Sequence, residues 1–350
     1  MKKTYLVIAL LLVLIGGCTQ TPTAQVIAQD KVKVGALVSL TGQDAYFGNT
    51  IHKGLLLAAK NKDIELIIED YGSETKNSVT AANKLVNIDK VDVLLTEYSE
   101  STEPVLQIIK EKQIPTICVA CGSAGITQKS ILLFRVWPSD EIEVKSLVNY
   151  AKQKEYDNVA VLKTISVWEN SLTEYFEKNW GGEVFVEQAK REYNDFRTQL
   201  LKIKQQSPGF IYLAMYEQKY PQVIKQIREL GIKAEIATTT WINDPTILEA
   251  CGKNCEEVIV PQYAPPTTEF VEAYKQEYKE EPGIGAEVAY DAINIIAELK
   301  DYRKTDFVKT LLNTEYAGAS GEISFDYTGD RKDRKVNLYK IKNQELELIE

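Results

Sequence analysis

Cys18 is the residue whose surroundings most clearly indicate its chemistry. Two lysines near the start, eleven apolar residues over 5–15 and two glycines directly before Cys18 make up this segment. A positive start, a short apolar run and small residues before a cleavage point are typical of a secretory leader. Eleven residues are too few to span a bilayer, which needs about 20.

The Gly-Gly-Cys ending resembles a lipobox, in which the cysteine thiol is acylated and the cysteine becomes the new N-terminus. The sequence therefore predicts a leader with a lipobox over residues 1–18 and a lipid anchor on Cys18. An ordinary cleaved signal with an incidental cysteine is the alternative. The expected location is extracytoplasmic, on the outer face of the cell membrane or in the periplasm. Residues 19–30 are rich in Thr, Gln, Pro and Ala without periodicity, which predicts a flexible tether.

The other four cysteines form two close pairs, Cys118 with Cys121 and Cys251 with Cys255. An even number of cysteines in an exported chain favours disulfides. A four-thiolate zinc site is the alternative, but it requires the two pairs to converge from distant parts of the chain. We predict a disulfide between Cys251 and Cys255 and no metal. Cys118 lies in a predicted strand, a poorer geometry for a local bridge, so the state of that pair stays open.

The sequence offers little for catalysis. His52 is the single histidine and lies on a predicted amphipathic helix, so no histidine-based triad is available. Gly283-Ile284-Gly285 follows a proline rather than a strand, and Val288 replaces the third glycine of a dinucleotide fingerprint. We therefore expect neither an enzyme nor a cofactor.

The charge of the chain excludes some partners. The formal net charge is −9. Removal of two lysines with the leader would leave 39 basic against 50 acidic residues, a net charge of −11. Nucleic acids and anionic lipid surfaces attract basic patches, so we expect no nucleic-acid partner and membrane attachment through lipid alone. We expect a monomer.

From Lys31 onward, predicted strands and helices alternate, which favours parallel sheets covered by helices on both faces. This alternation of strands and helices runs from 32 to 119, is interrupted around 134–138, and resumes from 141 to 238. A second pause over 260–266 precedes three helices and short terminal strands. The sequence thus predicts two doubly wound α/β units.

With this rhythm, the chain resembles the leucine/isoleucine/valine-binding protein family, the type I solute-binding proteins of ABC importers. The resemblance runs from Lys31 to the end of the chain, and its markers are specific through their order and spacing. They are Val34-Gly35, Leu40-Thr41-Gly42, Phe47-Gly48, Ile114 to Ile117, Thr127, Phe134 to Asp140, Asn158 to Leu162, Asp195-Phe196, Glu229-Leu230-Gly231, Ala289 to Ala292 and Gly318 to Asp326.

The resemblance implies two doubly wound parallel-sheet lobes joined by a hinge of three crossovers, near Pro138, Pro261 and 326–329. Lobe 1 would comprise residues 31–137 and 264–328, and lobe 2 residues 138–263 and 329–350. In open α/β sheets, ligands bind beyond the carboxyl ends of the strands. The cleft is therefore expected to be lined by the segments that follow strands, namely 42–47, 96–101, 120–123, 163–168, 215–216 and 239–241.

The resemblance also implies which residues contact the ligand. Ser99 matches the serine that meets the ligand carboxylate, with Ser101 as the alternative because this loop is one residue shorter. The other matches are Phe47, Ala120, Cys121, Gly122, Ser123, Trp168, Tyr216 and Thr240. The alternative for Phe47 and Trp168 is a place in the core of their lobes, and the alternative for Ser99 is a helix N-cap.

Two positions depart from the family pattern. Gly122 replaces a hydroxyl residue, although Ser123 follows it, and Thr240 replaces the acidic residue that pairs with the ligand ammonium. A buried ammonium without a partner charge is costly. Either another carboxylate pairs with the amine, or the ligand is not an α-amino acid. The candidate carboxylates are Asp44, Glu97, Glu100 and Glu217.

The expected function is capture of a branched-chain or other apolar amino acid for delivery to the permease and ATPase subunits of an ABC transporter. Capture of a non-amino carboxylate or an amide is one alternative. A ligand-sensing ectodomain that acts on a membrane receptor is the other.

Overall fold

The computed structural model describes residues 31–299, 304–332 and 334–349. The predicted leader, Cys18 and the tether over 19–30 lie outside the described residues. In the described part of the chain, no helix is both long and apolar enough to cross a membrane.

The first sheet consists of five parallel strands in the order β2-β1-β3-β4-β5. Its centre is apolar, and Val34 to Val38 are all buried, as expected for a parallel strand covered on both faces. The elements of this half are β1 (Val32–Val38), α1 (Ala45–Ala59), β2 (Ile64–Asp70), α2 (Thr75–Asn87), β3 (Val93–Thr96), α3 (Ser99–Thr102), α4 (Leu106–Lys112), β4 (Thr116–Cys118) and β5 (Leu133–Arg135).

The second sheet repeats this order as β7-β6-β8-β9-β10, again with parallel neighbours. Its elements are α5 (Glu141–Gln153), β6 (Val159–Thr164), α6 (Val167–Trp180), β7 (Val184–Ala189), α7 (Arg197–Gln205), β8 (Phe210–Ala214), α8 (Tyr220–Glu229), β9 (Glu235–Ala237), α9 (Pro245–Cys251) and β10 (Ile259–Tyr263).

The last part of the described chain contributes to both halves. α11 packs along α1, and Gly54 of α1 permits this approach, because a Cβ there would lie 2.2 Å from the carbonyl oxygen of Ala286. β13 and β14 extend the second sheet as antiparallel edge strands beside β10. The elements are α10 (Thr268–Tyr278), α11 (Ala286–Glu298), α12 (Lys304–Asn313), β11 (Tyr316–Gly318), β12 (Gly321–Ile323), β13 (Val336–Lys342) and β14 (Glu345–Leu348).

The predicted fold class, α/β with two doubly wound sheets, is confirmed. In each sheet the strand order reverses beside the first strand, between β1 and β3 and between β6 and β8. Such a reversal opens a crevice at the carboxyl ends of the strands, where α/β proteins bind ligands. The lobe boundaries at 137/138, 263/264 and 328/329 stay a prediction.

Three local predictions from the sequence are wrong. Strand β5 occupies part of the predicted pause around 134–138; it is only three residues long and shows no alternation. Strand β10 occupies most of the predicted pause over 260–266 and contains Pro261. β9 pairs with β10 only at Ile259, so the missing N–H of Pro261 removes no hydrogen bond to β9. The sequence predicts a helix over 171–179, but α6 begins four residues earlier, at Val167, and is capped by Ser166, whose Oγ accepts from Glu169 N.

Candidate functional site

A cavity lies where the carboxyl ends of the two sheets face each other. Segments after β3 and β4 enclose it from the first sheet. The start of α6 and the segments after β8 and β9 enclose it from the second. The lining residues are Tyr98, Ser99, Glu100, Ala120, Gly122, Asp140, Trp168, Tyr216 and Trp241.

Four of the nine lining residues are aromatic. The ring centroids of Trp168 and Tyr216 are 5.2 Å apart, and those of Tyr98 and Trp241 are 6.4 Å apart. Behind this wall, Trp137 stacks on Trp241 at 5.1 Å. The rings therefore give the cavity a wall of apolar surface and aromatic faces.

Asp140 brings a fixed carboxylate to the cavity from the residue before α5. Its Oδ1 accepts from Trp137 Nε1 at 2.7 Å, and its Oδ2 accepts from Trp168 Nε1 at 2.6 Å. Burial raises the pKa of Asp140, whereas the two indole N–H groups and the charge of Arg135 act in the opposite direction. Both oxygens are thus occupied by tryptophans that shape the site.

The position of Asp140 explains the glycine at 122. A Cβ on Gly122 would lie 1.8 Å from Asp140 Oδ2 and 2.8 Å from Trp168 Nε1, too close for any side chain. The hydroxyl residue found at this position in the family pattern cannot fit here, because the carboxylate of Asp140 occupies its space.

Glu100 supplies the second carboxylate in the lining, from the first turn of α3. Its Oε1 accepts from Ser166 Oγ at 2.8 Å and from Trp168 N at 3.0 Å. Ser166 and Trp168 lie at the N-terminus of the 14-residue helix α6, where backbone N–H groups and the helix dipole favour an anion. Glu100 therefore links the first half of the molecule to the second across the cavity.

Further contacts join the two halves beside the cavity. Arg191, which follows β7, forms an ion pair with Asp44, which precedes α1. The guanidinium of Arg191 also lies 3.5 Å from the ring centroid of Tyr216. Tyr46 Oη is 3.1 Å from Asp244 Oδ2. These contacts hold the facing loops together around the site.

The structure brings together five of the nine residues predicted to contact the ligand. The other four lie outside the lining. Phe47 is buried behind Trp241, with ring centroids 5.2 Å apart. Cys121 is bonded to Cys118, and the N–H of Ser123 donates to Ser99 Oγ at 3.2 Å. The N–H of Thr240 donates to Glu143 Oε2 at 3.2 Å. The five in the lining are Ser99, Ala120, Gly122, Trp168 and Tyr216.

Sequence reasoning did not assign Tyr98, Asp140 or Trp241 to the ligand, and it named Glu100 only as one of four candidate carboxylates for a ligand amine. Tyr98, Glu100 and Trp241 lie on segments predicted to face the cleft, so their aromatic and acidic types were the available signal. Asp140 was not predicted to line the site, although an aspartate directly before a predicted helix indicates the N-terminal end of that helix.

The four carboxylates considered for a ligand amine differ in their surroundings. Asp44 is paired with Arg191. Glu97 is buried and accepts from Ser39 N, Ser39 Oγ and Tyr71 Oη at 2.7–2.9 Å. Only Glu100 lines the cavity. The side chain of Glu217 lies outside what the structure describes.

Both cysteine pairs are disulfides in the structure. Cys251 and Cys255 close a short loop at the end of α9, and Cys118 joins Cys121 below the cavity. The strand position of Cys118 therefore does not prevent a local bridge, because β4 ends at this residue and the chain turns. Within the described ranges, no group of three or more His, Cys, Asp or Glu side chains is placed to hold a metal ion.

The buried carboxyl group of Glu169 is expected to make the stability of the fold depend on pH. Its Oε1 accepts from Thr164 Oγ1 at 2.6 Å, whereas its buried Oε2 has no hydrogen bond partner within the described ranges. Burial and the neighbouring charge of Glu100 raise the pKa of Glu169 from 4.5 to about 8. Between these two values the folded state holds a proton that the unfolded chain has lost. Stability should therefore fall as the pH rises from about 5 to 8.

We expect Glu169→Gln to remove part of this slope, up to about 1.4 kcal/mol per pH unit for one proton. Denaturant unfolding at pH 5, 6.5 and 8 measures how the free energy of unfolding depends on pH. Glu174→Gln, at an exposed position of the same helix, is the control. A slope equal in wild type and Glu169→Gln would show that Glu169 ionises normally.

Known proteins resemble this chain over most of its length. The sequence model of a family described as periplasmic binding protein matches residues 31–345. The leucine-, isoleucine-, valine-, threonine- and alanine-binding protein of Pseudomonas aeruginosa is 23% identical over 336 residues, which cover 89% of this chain and 90% of the relative.

Solved structures share the fold. A leucine-binding protein from Thermotoga maritima superposes with a TM-score of 0.83 at 22% identity, covering 91% of this chain and 98% of the other. A solute-binding protein of an ABC transporter from Rhodopseudomonas palustris, in complex with 3,4-dihydroxybenzoic acid, gives 0.81 at 23% identity, covering 91% and 95%.

Proposed function

This chain belongs to the periplasmic binding protein family, and we propose that it captures a small amino acid with an apolar side chain and delivers it to an ABC importer. The observation that carries this proposal is the cavity between the two sheets. It combines four aromatic rings with Ser99 and two carboxylates, so it offers contacts for apolar and for polar groups of one small molecule. The binding of leucine, isoleucine and valine by relatives of the whole chain supports the same ligand class.

Capture of an aromatic or aliphatic carboxylate without an amine is the second candidate. A similarly folded protein was solved with 3,4-dihydroxybenzoic acid, and Trp168 and Tyr216 would suit an aromatic ring. The carboxylates of Glu100 and Asp140 disfavour this ligand, because they would repel a molecule that carries only negative charge.

A thermal-shift screen distinguishes the two. Leucine, isoleucine, valine and phenylalanine should raise the unfolding temperature, whereas their deaminated acids and benzoate should not. At a hundredfold excess over the dissociation constant, a ligand specific for the folded state stabilises by about 2.7 kcal/mol. Trp168→Ala should lose the shift. Stabilisation by the acids alone would favour the second candidate, and no shift with any of these solutes would contradict the proposal.

We further propose that acylation of Cys18 anchors the protein outside the cytoplasm. The support is the short apolar leader followed by Gly-Gly-Cys. One acyl chain gives only marginal binding, so stable attachment needs two chains. Cys18→Ser expressed in a bacterial host should move the protein from the membrane fraction to the soluble fraction, while Cys251→Ser should stay with the membrane. Equal membrane binding of Cys18→Ser and wild type would contradict the anchor.

A further inference from the structure

The charged residues that line the cavity are both acidic. Among the described residues around it, Glu100 and Asp140 carry charge, and no lysine, arginine or histidine belongs to the lining. Arg191 lies close by, over the ring of Tyr216, but its charge is paired with Asp44. A ligand in this cavity therefore meets negative charge.

The two lining carboxylates are not equally available. Asp140 uses one oxygen for Trp137 and the other for Trp168. Both hydrogen bonds of Glu100, from Ser166 and Trp168, fall on Oε1. A carboxylate presents about four acceptor sites on two oxygens, so Oε2 of Glu100 keeps its capacity for a ligand.

The groups that would hold a ligand carboxylate are partly occupied. Ser99 Oγ accepts from the N–H of Ser123, and the N–H of Ala120 donates to the carbonyl of Glu97 at 2.8 Å. At the N-terminus of α6, the carboxylate of Glu100 takes the place of an external anion. The aromatic faces of the wall, in contrast, attract a cation.

We propose that Glu100 is the carboxylate that pairs with a protonated amine of the ligand, and that this amine contributes more to recognition than the ligand's own carboxylate. The inference rests on the proposed function and deepens it, because it names the chemical group that is selected. It also accounts for the threonine at 240: the partner of the amine comes from the first turn of α3 in the first half of the molecule, and not from the segment after β9.

Three related solutes separate the contributions of the amine and the carboxylate. Leucine has both groups, L-leucinamide keeps the amine without a carboxylate, and 4-methylpentanoate keeps the carboxylate without an amine. In calorimetric titration of the wild type, leucine should bind most tightly, leucinamide less tightly and 4-methylpentanoate most weakly. Because 4-methylpentanoate lacks the amine of the buried charge pair, its affinity should be lower than that of leucine by about 30-fold or more.

Glu100→Gln tests the residue itself. Glutamine keeps an acceptor for Ser166 Oγ and Trp168 N but removes the charge. Affinity for leucine and leucinamide should fall by about 30-fold or more, whereas 4-methylpentanoate should bind as well as before or better. The control is Glu103→Gln, an equal change of charge three residues away, where the carboxylate pairs with Lys129 outside the cavity.

The outcomes distinguish this inference from the proposed function. If leucine binds the wild type but 4-methylpentanoate binds equally well, or if Glu100→Gln keeps the affinity for leucine, the function stands and the inference is wrong. If none of the three solutes binds the wild type, both are wrong. A thermal unfolding curve of each variant without ligand checks that the fold is retained.

Discussion

Arg191→Met should weaken ligand binding by about a hundredfold while the two halves of the molecule remain folded. In the structure, Asp44 is 7% exposed and Arg191 is 19% exposed. Loss of the cation leaves Asp44 buried without its partner when the halves meet, which costs about 3 kcal/mol, the lower end for buried pairs. We propose that the two halves move apart about the hinge when no ligand is bound, and in that open form water would solvate Asp44. The substitution therefore destabilises the closed form relative to the open form. The measured affinity falls because less of the protein is in the closed form.

The double variant Arg191→Met/Asp44→Asn should recover much of the affinity, because neither charge is then left alone. Arg197→Met is the matched control, since Arg197 pairs with Asp195 and Glu229 on the exposed surface, and surface pairs contribute little. Calorimetric titration compares the ligand affinity of the wild type, the single variant, the double variant and the control. An affinity of Arg191→Met within threefold of wild type would show that the pair does not support closure.

Gly122→Ala should both destabilise the fold and abolish binding. The new Cβ would lie 1.8 Å from Asp140 Oδ2, and Asp140 cannot withdraw without breaking its bonds to Trp137 and Trp168. Overpacking costs about 1–3 kcal/mol, and each hydrogen bond to a charged group adds about 1.5–3 kcal/mol. Neighbouring side chains can move slightly and so reduce the combined cost. We therefore expect the free energy of unfolding to fall by about 3 kcal/mol or more.

Gly182→Ala is the control for Gly122→Ala. Gly182 is exposed, and its added Cβ would meet only the side chain of Trp180, at 3.2 Å. Denaturant unfolding should show little change for Gly182→Ala. A Gly122→Ala protein with wild-type stability and wild-type affinity would mean that Asp140 does not occupy the place described here.

The sequence was sufficient to predict the fold because parallel strands and their covering helices follow local patterns. The run Val32–Val38 is apolar enough to mark a buried strand, and the alternation of strands with helices limits the topology. Ile64–Asp70 was expected to be buried as well, but it is the edge strand of the first sheet and only Ile64 is buried. The short strands β5 and β10 depend on pairing with distant neighbours, so local patterns did not reveal them.

The site was only partly predictable for a related reason. Five of the six segments expected to face the cleft contribute a residue to the lining, including Trp168 and Tyr216, whereas 42–47 contributes none. Which side chain in a segment reaches the cavity depends on packing between the halves. Phe47 is screened by Trp241, and Asp140 enters because Gly122 leaves space for it. Such contacts join residues far apart in sequence, and no local spacing encodes them.

Small-angle scattering tests most directly the central claim that the two halves close on a small solute. The measurement compares the protein alone with the protein saturated by the amino acid that stabilises it most in the thermal-shift screen. We predict that the radius of gyration falls on saturation and that the saturated profile matches the one calculated from the structure, in which Glu100 contacts α6 and Arg191 contacts Asp44. A profile unchanged at saturating solute would contradict closure.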